Sequence, residues 1–339
     1  MVTPRPLTIR TRSGLTLHAS EWYNHNAPVC LLLHGFAHDG RAWDPLALAL
    51  RERYRVIAPD FRGHGDSCWD SSRSYCHEAL LEDLNTLVEQ LSLHSFHLVG
   101  HSMGARVAML YTATHNDKVD SLTIVDTGPI VGLKGADRIR ADAEQQPRHF
   151  ATQDAYFQWL RARLPLASRE GLKQRAVHGL KAVSGGWRPK TDPEFARILW
   201  DQDNKVSDPK GKDKGSRGDT PSGSQQHPIA PLTQELWDAL DRITSPTLVV
   251  RGQLSSILQQ DTALTMAEQR LAAGQLRTIA MAGHSVMIDK PQECSQAISE
   301  FIHSIPATPT LRHTPPATNS EQPANPLNAP HAATGGARR

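Results

Sequence analysis

Six short apolar runs punctuate a polar chain. They are "VCLLL" (29–33), "YRVIAPD" (54–60), "FHLVG" (96–100), "SLTIVD" (121–126), "PTLVV" (246–250) and "LRTIAMAG" (276–283). The first is continuous rather than alternating, the mark of a strand covered on both faces, and the other five read as further buried strands. Ahead of them, residues 7–11 and 15–21 are separated by Ser13-Gly14 and predict a hairpin. Helical spacing fills the gaps. In 78–91, Leu80, Leu81, Leu84, Leu87, Val88 and Leu91 fall on one face. In 103–114, Val107, Ala108, Tyr111 and Thr112 do the same. Near the end, Asp289 and Pro291 mark a helix start, followed by the stripe Ala297, Ile298, Phe301 and Ile302. Strands alternating with helices predict an α/β fold, with a mostly parallel central sheet and helices on both faces.

Between Pro129 and Asp241 no buried strand is apparent. Phe157, Trp159, Leu160, Leu164, Leu172, Val177, Leu180 and Trp187 are spread among charges, and this predicts amphipathic helices. An insert leaving the end of a strand is placed to roof the carboxyl edge of the sheet, where ligands bind in open α/β folds.

Two stretches have almost nothing to bury and predict no fixed structure. One is 201–230, rich in Lys, Asp, Gly, Ser and Pro; the other is the Pro-rich tail 306–339. The full chain has 339 residues, 39% of them hydrophobic and 21% charged, which suits a globular protein. A formal net charge of +2 gives no electrostatic case for a nucleic-acid or membrane partner. No apolar stretch approaches the roughly 18 residues of a membrane span, and the N-terminus lacks the apolar core of a secretory signal. Cys30, Cys68, Cys76 and Cys294 form no CxxC pair; they read as reduced thiols, predicting a cytoplasmic protein without a metal centre.

The chemistry concentrates at "LVGHSMGARVAML" (98–110). Here an apolar strand stops at Gly100, a serine stands between two glycines, and a helical pattern opens at Met103. Strand, tight turn and helix around G-x-S-x-G is the setting of a nucleophile elbow. Gly100 and Gly104 let the strand and helix approach closely. The turn thrusts the Ser102 hydroxyl to a helix N-terminus, where free N–H groups favour an anionic intermediate.

In order along the chain stand "LLLHGF" (31–36), "PDFRGHGDS" (59–67), "GHSMGA" (100–105), "VDTGP" (125–129), "PTLVVRG" (246–252) and "GHSVMIDKP" (283–291). Together they resemble the α/β-hydrolase fold family, in its lidded esterase, lactonase and C–C hydrolase branch. The resemblance implies a hydrolase core in two parts, 1–130 and 241–305, and a helical lid over 131–240. It implies His284 as general base for Ser102, and an oxyanion hole from the N–H groups of Phe36 and Met103. His34 is expected to fix the Phe36 loop, and Asp60 and Arg62 to tie the glycine turn of "DFRGHGDS". His38, Asp39 and Trp43 are expected to be loop and packing residues. Epoxide hydrolases of this fold carry aspartate where Ser102 stands, which argues against that activity.

The acid that orients the histidine is the open position. In similar proteins it follows the strand ending "LVVRG", and there this chain aligns Ser256. Asp126, at the end of the preceding strand, and Asp261, five residues past Ser256, are the alternatives; Asp126 is the preferred one. The chain is thus expected to be a serine hydrolase acting through an acyl-enzyme on a small-molecule ester or lactone. C–C bond hydrolysis, or ligand binding with little turnover, are the alternatives. No cofactor is implied. Arg41, Arg62 and Arg106 are candidates to face a substrate carboxylate, or else salt-bridged groups.

Overall fold

The computed structural model describes residues 3–24, 27–195, 197 and 231–306; the segments 201–230 and 307–339, expected to lack structure, lie outside the described residues. An eight-stranded sheet forms the centre. Its strands are β1 (Arg5–Arg10), β2 (Thr16–Trp22), β3 (Val29–Leu33), β4 (Arg55–Pro59), β5 (Phe96–His101), β6 (Val119–Val125), β9 (Thr247–Gly252) and β10 (Gly274–Ile279). They lie in the order β1-β2-β4-β3-β5-β6-β9-β10. β1 pairs antiparallel with β2, and β2 antiparallel with β4; every later pair is parallel. The hairpin turns at Gly14, whose φ of 86° a side chain would resist.

Five of the six apolar runs have a simple cause; the sixth, expected to be buried, is the edge strand β10, where Ile279 is the one buried residue. Successive side chains of a strand point to opposite faces, so a strand sandwiched between helices needs apolar residues at every position. Leu31, Leu33, Ile57, Leu98, Leu122, Ile124 and Val249 pack in one core with helices α2 (His77–Gln90), α3 (Met103–Thr112) and Pro231–Arg242. Their strand neighbours Cys30, Leu32, Val56, Ala58, Val99, Val125, Leu248 and Val250 pack on the other face. There they meet helix α1 (Asp44–Leu50) and the closing helix Pro291–Ser304.

The insert between β6 and Pro231 contains α4 (Leu133–Glu144), α5 (Gln153–Arg163) and α6 (Arg169–His178). It also contains a two-stranded hairpin, β7 (Leu180–Val183) and β8 (Gly186–Pro189), where the spacing predicted only helices. Leu180 and Trp187 therefore sit on strands. Three of the four β7 residues are exposed, so this hairpin lacks the buried apolar run that betrays the others. Phe150, Tyr156, Leu160, Leu172, Ala176 and Leu180 give the insert a small core of its own. Hydrogen bonds fasten it over the sheet's carboxyl edge. Ser168 donates from Oγ to Ile288 O at 2.8 Å, Asp192 N–H to Gly63 O at 2.7 Å, and Arg175 Nη2 to Ala37 O at 3.2 Å.

No helix among the described residues is long and apolar enough to cross a membrane. All four cysteines are unpaired, with Cys30 and Cys294 buried and Cys68 exposed.

Candidate active site

Ser102 stands between β5 and α3 with φ 53° and ψ −120°, a backbone conformation that costs a non-glycine residue about 1–3 kcal/mol. Tertiary bonds hold it there. Its N–H donates to Val125 O on the neighbouring strand at 3.0 Å, and its carbonyl accepts from Ala105 N at 3.0 Å and Arg106 N at 3.1 Å. Gly104 serves the same geometry, since a Cβ on it would collide with the carbonyl oxygens of His34 and Leu33.

Six described non-glycine residues have positive φ, and four of them belong to loops leaving the carboxyl ends of strands. These are Ala37 after β3, Ser102 after β5, Asp126 after β6 and Met281 after β10. Strain gathered on one edge of a sheet points to function there.

Ser102 and His284 are 182 residues apart in sequence, yet His284 Nε2 lies 3.0 Å from Ser102 Oγ. On the far side of the ring, His284 Nδ1 lies 2.9 Å from Asp126 Oδ2. Asp126 is fully buried, whereas the His284 side chain keeps 18% of its exposure. An ionised carboxylate can only accept, so the Nδ1 carries the proton and the Nε2 lone pair faces the serine. Asp126 Oδ1 accepts the Gly252 N–H at 2.8 Å, and Oδ2 also accepts the Ser255 hydroxyl at 2.5 Å.

The position aligned with an acid in similar proteins, Ser256, is exposed; its carbonyl and hydroxyl lie against Gly132 and Gly135. Ser255, which sequence reading passed over, is the buried serine of that loop and the one that touches Asp126. Asp261 is exposed in the first turn of helix Gln260–Leu264.

The loop after β3 lies directly against the elbow. A Cβ on Gly35 would stand 2.5 Å from His101 Nδ1 and 3.0 Å from Ser102 Cβ, so the turn that leads into Phe36 passes close to the elbow. Met103 is the first residue of α3, where a backbone N–H has no helical partner four residues back.

Neutral histidines fix this loop. Buried His34 donates from Nδ1 to Gly35 O at 2.8 Å and accepts the Phe61 N–H on Nε2 at 2.9 Å. His64 accepts the Ala37 N–H at 3.1 Å. Burial lowers the proton affinity of both, and pushes that of His64 down to about 3. His38 is not only packing: it stacks on His101, with ring centres 5.5 Å apart, and accepts from Arg175 Nη1 of the insert at 3.3 Å. His101 in turn lies against His284, the ring centres 4.8 Å apart and the planes tilted by 41°, and donates from Nε2 to the His284 carbonyl at 3.0 Å. Asp289 Oδ2 accepts the Gly283 N–H at 2.7 Å, bracing the turn that presents His284.

The glycine turn 60–67 is tied as expected. Asp60 accepts the N–H groups of Gly40 and Asp66, and Arg62 pairs with Asp83 at 2.6 Å and Asp70 at 3.2 Å. Arg41 is taken up by Asp44 at 2.7 Å. Arg41 and Arg62 are thus salt-bridged groups, the plainer of the two readings. Trp43 is fully buried and Asp39 caps the short turn Gly40–Trp43.

Among the described residues, His18, Asp60 and Asp66 have donor atoms close enough together to hold a metal ion. Those atoms are already engaged, His18 with Asp60 at 2.8 Å and Asp66 with Lys190 at 2.7 Å.

A sequence model of the alpha/beta hydrolase fold matches residues 28–291. The 2-(acetamidomethylene)succinate hydrolase of Mesorhizobium japonicum is 26% identical over 290 residues, 85% of this chain and 92% of that protein. The 3-hydroxybutyrate-oligomer hydrolase of Cupriavidus necator is 27% identical over 275 residues, covering 78% and 86%. Among solved structures, an alpha/beta hydrolase from Novosphingobium aromaticivorans superposes with a TM-score of 0.70 at 27% identity, covering 89% of this chain and 99% of that one.

Proposed function

Because the chain belongs to the α/β-hydrolase fold family, whose relatives above are named hydrolases, we propose that it is a serine hydrolase cleaving a carboxylic ester or lactone through an acyl-enzyme. The observation that carries this reading is the unbroken relay Ser102–His284–Asp126, at 3.0 and 2.9 Å.

In this mechanism Ser102 Oγ attacks the substrate carbonyl carbon while His284 Nε2 takes the hydroxyl proton. The backbone N–H groups of Phe36 and Met103 receive the negative oxygen, and such a donor is worth about 3–4 kcal/mol of barrier. Imidazolium formed on His284 is stabilised by Asp126, which stays ionised. His284 then returns the proton to the leaving alcohol, leaving Ser102 acylated. Water, deprotonated by His284, attacks the acyl carbon; the C–O bond to Ser102 breaks, and His284 returns the proton to Ser102 Oγ. For a lactone the leaving alcohol and the acid are ends of one product. Helices α4–α6 act as a lid over the site, anchored through Ser168, Arg175 and Asp192.

The idea of a binding protein with little turnover drew its motive from the serine at the expected acid position. Asp126, 2.9 Å from His284, supports the hydrolase reading instead. A fluorophosphonate probe tests the proposal. It should phosphonylate the wild-type protein at Ser102 and spare Ser102→Ala. A folded wild type that takes up no probe would overturn it.

A further inference from the structure

We propose that Ser255 is a positioning residue of the relay, directing its hydroxyl proton onto Asp126 Oδ2 and so governing how that oxygen meets the His284 Nδ1 proton. This rests on the serine-hydrolase reading above.

The orientation of that hydroxyl follows from its neighbours. Ser255 Oγ accepts the Ile257 N–H at 3.1 Å and the Leu258 N–H at 3.4 Å, the turn a serine makes with its own following backbone. With its lone pairs facing two N–H groups, its single proton is left for Asp126 Oδ2, the same oxygen that accepts His284 Nδ1–H. The loop is held to β9 as well, because Ser255 N–H donates to Gly252 O at 3.0 Å and Gly252 N–H donates to Asp126 Oδ1 at 2.8 Å. Asp126 is therefore a fully buried carboxylate that accepts from three donors, His284, Ser255 and Gly252.

Removing the Ser255 proton concentrates negative charge on the oxygen that faces His284. The imidazole then holds its proton more tightly, and the acid limb of activity moves to higher pH. The other ionisable groups beside His284 are Asp289, His101 and His38, all unaltered by the change.

The test measures kcat and kcat/KM against pH on an activated ester for wild type, Ser255→Ala, Ser255→Cys and Ser255→Thr, with fluorophosphonate labelling of each. Ser255→Ala should lose about tenfold in kcat, and its acid limb should rise by about half a pH unit or more. The weak thiol donor should fall between Ala and Ser, and Thr should restore both quantities. An acid limb that stays at the wild-type pH in both Ala and Cys variants, whatever happens to kcat, reduces Ser255 to a loop brace and overturns the inference. If Ser255→Ala does not fold, the Cys variant decides. Failure of wild type itself to label strikes the serine-hydrolase reading instead, so the two failures are distinguishable.

Discussion

Replacing Asp126 by asparagine changes one atom, and the structure says what that atom does. Two donors meet at Oδ2, His284 Nδ1 at 2.9 Å and Ser255 Oγ, while Gly252 N–H meets Oδ1 at 2.8 Å. If the amide nitrogen takes the Oδ2 place, it faces His284 Nδ1 donor to donor. The ring must then move its proton to Nε2, where it can no longer receive one from Ser102. If the amide flips, its N–H groups face the Gly252 N–H instead, and a buried donor loses its acceptor. The first arrangement satisfies the backbone and disables the base. The equivalent change in a serine protease costs about four orders of magnitude, or about 5.5 kcal/mol of barrier. Asp126→Asn should accordingly lose about 10³- to 10⁴-fold in kcat/KM on a p-nitrophenyl ester. Its fluorophosphonate labelling should slow in parallel, with the circular-dichroism spectrum unchanged. Turnover within tenfold of wild type would show that His284 needs no carboxylate from β6, and the relay as drawn would be wrong.

The strain at Ser102 is separable from its hydroxyl. Ser102→Gly and Ser102→Ala both delete the nucleophile, but only glycine accepts φ 53° with ψ −120° freely, so Ser102→Gly should be the more stable by about 1 kcal/mol in urea unfolding. Equal midpoints would mean the elbow stores nothing. Burial raises the Asp289 carboxyl from 3.8 to about 6. The folded state then holds this proton more tightly than the unfolded chain, so stability falls as pH climbs from about 4 through about 6 and the penalty stays above that. An asparagine side chain at this position would keep an acceptor for Gly283 N–H without the charge. Asp289→Asn should therefore match wild type near pH 4 and exceed it by about 1–3 kcal/mol at pH 8 in denaturant titrations; a difference independent of pH would refute the burial argument.

Local chemistry determined most of the architecture. A strand with helices on both sides must be apolar at every position, so "VCLLL" and "TLVV" announce their place without a partner in view. G-x-S-x-G announces the elbow because a turn that tight, with a strand and helix in contact, demands glycine at Gly104. The hairpin β7–β8 is invisible in the sequence for the converse reason: β7 is largely exposed and β8 only half-buried, so neither carries an apolar run.

Sequence reading prefers Asp126 as the acid and leaves Asp261 open; which further groups meet Asp126 was decided by tertiary structure. Asp126 and Ser255 are 129 residues apart, and nothing in the motif that holds Asp126 points to Ser255. Parallel pairing of β6 with β9, Val125 against Val250, sets both strand ends at one level and lets Asp126, with φ 51°, turn toward the β9 loop. Within that loop, whether residue 255 or 256 faces inward depends on backbone rotation after Gly252, a difference of one position that composition and spacing do not encode. Residue types reveal which chemistry a chain can perform; the register between strands chooses which oxygen meets which nitrogen.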